Sequence, residues 1–262
     1  MTRHLRLAVF TLDSTASTGA VTRFLRECPH EVALVVRSNP YRKAMGGALG
    51  QTWRHWRRSG IRLLPWLFVE FSAPRIANAL RRRDPLGDAA HARGATLHDT
   101  DDVNGAAAHA AIAAARPDLL LSCHFDQIFA PATLALAPMG GINLHPSLLP
   151  HHRGPMPAFW ALSAAEPTGV TIHRLAPRID AGGILAQRAV PLPAGISVSA
   201  AARSLHDAGV PLLLETLDAL AGERVPETAQ QILPYCPFPD RSALRGAPPL
   251  IRLADLRAAL RS

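Results

Sequence analysis

Lysine is almost missing from this 262-residue sequence; Lys43 is the only one. Aromatic residues make up 5%, so aliphatic side chains must fill most of any core. Cys28, Cys123 and Cys236 stand far apart. Three cysteines without metal-like spacing argue against a disulfide framework and for a reducing compartment. Cys123 ends an apolar run and reads as a buried structural thiol. No run reaches the roughly 18 apolar residues of a membrane span. The apolar run within 1–12 is short for a signal peptide and has no small-residue cleavage site after it. The expectation is a cytoplasmic protein with no membrane partner. No Gly-x-Gly-x-x-Gly follows the first apolar run and no Gly-x-x-x-x-Gly-Lys-Ser/Thr occurs, so the sequence supports neither a dinucleotide nor a P-loop site. No internal repeat is visible.

What is present suits one large domain, or a domain with a small appendage: the chain is 48% hydrophobic and long enough to bury a sizeable core. The net charge of +8 is nearly all arginine. An anionic partner is one reading and the coding bias of a GC-rich genome the other. The arginines look scattered rather than interleaved with aromatics as in nucleic-acid grooves, which favours the second, and a nucleic-acid partner is not expected. The densest cluster, Arg54, Arg57 and Arg58 with Trp53 and Trp56, reads as a solvated basic helical face ahead of an anion site.

Apolar runs at 5–12, 32–36, 95–98, 118–122, 139–144, 169–174 and 184–190 read as strands. Helical patterns lie at 20–27, 104–115 and 197–221, with another helix starting near Ala158. Residues 41–83 are helical in character but broken at Gly46-Gly47, Gly60 and Pro65, and the mostly apolar run 61–71 reads as a helix packed over the sheet ahead of a membrane-surface helix. The alternation implies an α/β, doubly wound, Rossmann-like fold with a mostly parallel sheet flanked by helices, whose ligands sit beyond the C-terminal strand ends. We place a catalytic domain at 1–225 and a Pro-rich tail with a short helix, near 253–260, at 226–262.

Two stretches carry chemistry. In Gly140-Gly141-Ile142-Asn143-Leu144-His145-Pro146-Ser147-Leu148-Leu149-Pro150, an extended backbone puts Asn143 and His145 on one face. A metal site using His145, His151 and His152 ranks low, because no carboxylate or cysteine is spaced with them. The second stretch runs from Thr168-Gly169-Val170-Thr171-Ile172-His173-Arg174 to Ile179-Asp180-Ala181-Gly182-Gly183. Alone, an Asp before glycines is usually a turn residue.

Together the two stretches resemble the folate-dependent formyltransferase family, which includes glycinamide ribonucleotide formyltransferase and the catalytic domain of methionyl-tRNA formyltransferase. The resemblance runs through Asn-x-His-x-Ser-Leu-Leu-Pro, Arg-Gly, Thr-Gly-Val-Thr and Ile-Asp-x-Gly. It implies 10-formyltetrahydrofolate as formyl donor, with Asn143, His145 and Asp180 catalytic. It also implies a donor site from Phe125, Gln127, Ile128, Phe129, Arg178 and Ile179, and acceptor contacts from Ser14, Thr15, Ser147 and Arg153. His173 matches a family position near the site, though a satisfied core histidine is the plainer reading. The 13–19 loop lacks the glycine-rich phosphate cradle of the ribonucleotide enzyme. The tail is too short for the β-barrel of the tRNA enzyme, and the first strand starts too early for the regulatory domain of the deformylases. The expectation is N-formylation of a small-molecule amine, such as an amino sugar nucleotide or a hydroxyornithine-type amino acid. Formyltetrahydrofolate hydrolysis and the tRNA or ribonucleotide housekeeping roles are the alternatives, and self-association is left open.

Overall fold

Strands that are apolar on both faces need cover on both faces, and that condition organises the chain. The computed structural model describes residues 3–222 and 225–261. In β1 (Arg6–Leu12), Leu7 and Val9 join one apolar cluster, while Ala8 and Phe10 join another across the sheet. The other strands are β2 (Glu31–Ser38), β3 (Thr96–Thr100), β4 (Leu119–Cys123), β5 (Gly141–His145), β6 (Gly169–Arg174) and β7 (Ile184–Ala189). They form one seven-stranded sheet of order β3-β2-β1-β4-β5-β6-β7. Pairings from β3 through β5 are parallel; β6 pairs antiparallel with β5 and β7. A bulge opposite Leu7 and Ala8 skips Ala33, so Val32 and Val35 reach the same face despite their odd spacing.

Along the chain the helices are α1 (Thr18–Glu27), α2 (Gly47–Ser59), α3 (Leu64–Leu67), α4 (Ala73–Arg81), α5 (Pro85–Ala92), α6 (Ala106–Ala115), α7 (Pro131–Leu134), α8 (Pro157–Ala164), α9 (Val198–Gly222) and α10 (Leu253–Ala259). Helices α1, α5, α8 and α9 cover the Leu7/Val9 face through Phe24, Leu86, Phe159 and Leu213; α6 covers the other through Ile112. Each such buried side chain stabilises the fold by about 1.5–3 kcal/mol. The expected breaks in 41–83 are real: α2 starts at Gly47, Gly60 ends it at φ 72°, and Pro65 opens α3. A π-helical turn at Phe68–Ser72 then leads into α4. Helix α5 is an addition to the sequence reading; Asp84 caps it through Gly87 N–H at 3.0 Å, with Pro85 at its first position.

Helix α9 holds the site's floor against the sheet. Gly209 permits this, because a Cβ there would lie 2.7 Å from Leu144 Cδ1. Pro211 cannot donate to the Asp207 carbonyl, and Arg23 of α1 takes that carbonyl instead at 3.4 Å.

The division drawn at 225/226 adjoins Glu223 and Arg224, which lie outside the described residues. Beyond it the chain returns to the body. Thr228 bridges Ile184, Cys236 N–H donates to Arg153 C=O at 2.8 Å, and Trp160 Nε1 donates to Pro237 C=O at 3.0 Å. Buried Asp255 accepts from Ser197 Oγ at 2.6 Å and from Arg203 at 3.0 Å.

Candidate active site

Antiparallel pairing of β5 with β6 sets Asn143 opposite His173. Asn143 Nδ2 lies 3.1 Å from His173 Nε2, and His173 Nδ1 donates to Arg174 C=O at 2.8 Å, which leaves Nε2 to accept from the amide. Two residues on, His145 donates from Nε2 to His152 C=O at 3.2 Å and turns Nδ1 towards Asp180 Oδ1, 3.7 Å away. The same oxygen lies 3.6 Å from His173 Nε2, and Oδ2 accepts Gly154 N–H at 2.9 Å. Asp180 itself is left-handed at φ 48°, a conformation costly for a non-glycine and held by its surroundings. Gly182 completes the turn; a Cβ there would run into the Arg174 carbonyl.

Burial raises the Asp180 pKa, but His145 and His173 in their protonated forms, with the Gly154 N–H, outweigh it and hold the carboxyl at about 2. For His145, burial is the largest influence and lowers the pKa below 6.5; Asp180 opposes it. The resting pair is therefore a carboxylate beside a mainly neutral imidazole.

Asn143, His145, His173 and Asp180 line one cavity of about 940 Å³ beyond the C-terminal ends of β1, β4 and β5. Of the expected donor residues, Phe125, Gln127, Ile128, Phe129 and Ile179 line it too. The Gln127 amide is engaged structurally, accepting Val103 N–H and donating to Ser38 Oγ, both at 2.8 Å. Arg178 is exposed and off the wall.

The expected acceptor residues are placed differently. Ser14 is buried with its hydroxyl shared between Ser17 Oγ at 2.8 Å and His124 Nδ1 at 2.9 Å. Thr15 Oγ1 donates to Val69 C=O at 2.5 Å, and Ser147 Oγ to His151 C=O at 2.9 Å. None of these reaches the cavity. Arg153 is 1% exposed and works behind the wall. It donates to the carbonyls of Ile179 at 3.1 Å, Asp180 at 3.2 Å and Leu233 at 2.7 Å, bracing the turn that presents Asp180.

His206 and Glu70 on the wall escaped the sequence reading, whereas His124 opens the expected donor segment. His206 donates from Nδ1 to Ala202 C=O at 2.8 Å, and its buried Nε2 has no hydrogen-bond partner among the described residues. Burial, with a contribution from His145, pushes its pKa down to about 4. His124, 5.1 Å from it ring to ring, is pushed to about 3, again by burial first. Glu70, on the π-helical turn, is raised to about 7 by burial against the opposing Ser199 hydroxyl, Arg203 and Ala16 N–H. A single acid in the apolar run 61–71, and a histidine among the apolar positions of α9, were the available signals. His151 and His152 both face Glu166, at 3.7 and 2.7 Å. Among the described residues no group of three or more His, Cys, Asp or Glu is arranged to hold a metal.

The profile of the formyl transferase family matches residues 75–217. Methionyl-tRNA formyltransferase of Roseiflexus castenholzii is 41% identical over 138 residues, covering 52% of this chain and 44% of the relative. Its counterpart in Roseiflexus sp. strain RS-1 is 40% identical over 138 residues, covering 52% and 42%. The matches thus span less than half of those relatives' lengths. Glycinamide ribonucleotide transformylase 1 from Symbiobacterium toebii shares the fold at TM-score 0.58 and 21% identity, over 87% of this chain and 95% of that one. A sugar N-formyltransferase from Shewanella sp. FDAARGOS_354 does so at TM-score 0.57 and 17% identity, over 98% and 86%.

Proposed function

Because the chain belongs to the formyl transferase family, we propose that it transfers a formyl group from 10-formyltetrahydrofolate to the amine of a small molecule. One observation carries this reading: Asn143, His145 and Asp180, with His173 behind them, converge on one cavity wall. The amine attacks the formyl carbon, a C–N bond forms and the carbonyl oxygen becomes an oxyanion. Asn143 uses one N–H on His173 and keeps the other for that oxyanion. Neutral His145 takes the amine proton, and ionised Asp180 stabilises the imidazolium. His145 then returns the proton to the folate nitrogen as its bond to the formyl carbon breaks, releasing the formamide and tetrahydrofolate. Phe125, Ile128 and Ile179 supply apolar walls for the donor ring.

The cavity volume falls within the range of small-ligand sites and suits a pterin with a small acceptor. The acceptor we favour is an amino sugar nucleotide, a sugar N-formyltransferase being among the proteins that share the fold; a hydroxyornithine-type amino acid is the other small-amine class. The identity to the Roseiflexus enzymes supports methionyl-tRNA as a second reading. A competition assay separates them. With 10-formyltetrahydrofolate as donor, each acceptor is offered alongside glycinamide ribonucleotide, and kcat/KM is compared by tetrahydrofolate release and product mass. A small amine is expected to win; a tenfold advantage for the tRNA or ribonucleotide rejects the small-molecule reading. Formate released at the same rate without any amine identifies a hydrolase instead.

A further inference from the structure

The positive charge of this chain has one address. Residues 39–83 hold ten basic residues and a single acid, Glu70, whereas the rest of the chain holds eighteen basic and nineteen acidic. The net +8 therefore resides in this segment, and Glu70 is buried beneath it. Nine of the ten cations are exposed; the half-buried tenth, Arg42, pairs with Asp126 at 3.1 Å. Others bond to carbonyls, which leave their charge uncompensated: Arg62 to Leu244 at 3.1 Å and Arg81 to Leu260; Arg58, on Phe238 C=O at 2.7 Å, also acts on Asp240.

The same segment carries eight of the thirteen large hydrophobic residues exposed on the described surface. Helix α2 is inside out. Gln51, Arg54, His55 and Arg58, at helical spacing, face the cavity. Leu49, Trp53 and Trp56, spaced i, i+4, i+7, face solvent at 87%, 53% and 47% exposure. Arg57 lies over the Trp53 ring at 4.9 Å. Helix α4 repeats the theme, exposing Ile76 and Leu80 beside Arg75 and Arg81.

From this combination we propose that the 39–83 surface docks on an anionic lipid membrane, lying at its interface. No described helix is long and apolar enough to cross a membrane, and surface attachment requires none that is. Arginine and lysine are attracted to acidic headgroups, tryptophan settles at headgroup depth, and leucine and isoleucine enter the acyl boundary. RNA would match the charge and could stack on the tryptophans, but it offers nothing to Leu49, Ile61, Ile76 and Leu80. A second copy would bring one predominantly basic face against another. Since α2 also walls the cavity, docking holds that wall at the lipid interface.

The full chain is sedimented with phosphatidylcholine vesicles, with and without phosphatidylglycerol. We expect roughly tenfold more binding to the anionic vesicles, weakened by salt, with a blue shift of tryptophan emission. Combined Leu49→Ser, Trp53→Ser and Trp56→Ser should remove that preference while circular dichroism and formyl transfer in solution are kept. Ile76→Ser with Leu80→Ser gives a second reading should the triple variant not fold. Equal binding to both vesicle types, or serine variants that bind like the wild type, overturns the proposal. So does a dimer that those substitutions dissociate, or tighter binding to transfer RNA that they leave untouched.

Discussion

At the scale of single residues, one oxygen of Asp180 faces both His145 and His173, and the proposed mechanism turns on it. His145→Ala is expected to lower kcat by roughly a hundredfold or more, as for loss of a general acid–base group, with thermal unfolding unchanged. Asp180→Asn gives a subtler signature. Asp180 opposes the burial that lowers the His145 pKa, so removing its charge lets that pKa fall further. The acid limb of the kcat/KM profile, already below pH 6.5, should move lower still while the plateau drops. An upward move would contradict the assignment of His145 as the group that takes the proton. Chelator treatment should leave activity unchanged in the same assay. That Asn143, His145 and Asp180 meet on one wall was foreseeable: strand alternation puts Asn143 and His145 on one face, and the resemblance to the motif brings in Asp180. The hydroxyls of Ser14 and Thr15 were not, since what consumes them, His124 and the Val69 carbonyl, arrives from distant sequence. Arg153 was misplaced for a related reason: nothing local distinguishes an arginine that grips a ligand from one that grips three carbonyls.

At the scale of elements, the strands were legible to within about two residues because doubly covered strands are apolar throughout. The segment between β2 and β3 was legible only in its breaks, because its packing inverts the usual pattern: α2 buries only Ser59. Within that segment Glu70 ties the π-helical turn to Ala16 N–H at 3.1 Å and to the Ser199 hydroxyl of α9. Its raised pKa means the folded protein holds this proton more tightly than the unfolded chain. The associated stability is full below pH 4.5 and is lost as pH rises through about 7. Glu70→Gln should therefore be more stable than the wild type above that range by up to about 3 kcal/mol, and the difference should shrink towards pH 4.5. Denaturant titrations across that window measure it; a difference that grows as pH falls would show the carboxylate to be favourable. In α9, Gly209→Ala should cost about 1–3 kcal/mol by forcing Leu144 aside, and should impair the site through its neighbours Asn143 and His145.

For the whole molecule, the doubly wound class was readable from alternating strands and helices, and the crevice beyond the strand ends followed from it. The distribution of charge does not show in the arginines alone; it emerges when acids are counted against them over residues 39–83. The buried guanidinium of Arg153 adds a statement about time. Its partners sit at 179–180 and at 233, so it cannot be satisfied until the stretch after β6 and the stretch after α9 have both arrived. Until then the guanidinium has to stay in water, and the sheet is expected to form around a site that is still open. On dilution from denaturant, far-ultraviolet ellipticity should recover ahead of formyl transfer, and the catalytic centre should be the last part of the molecule to mature.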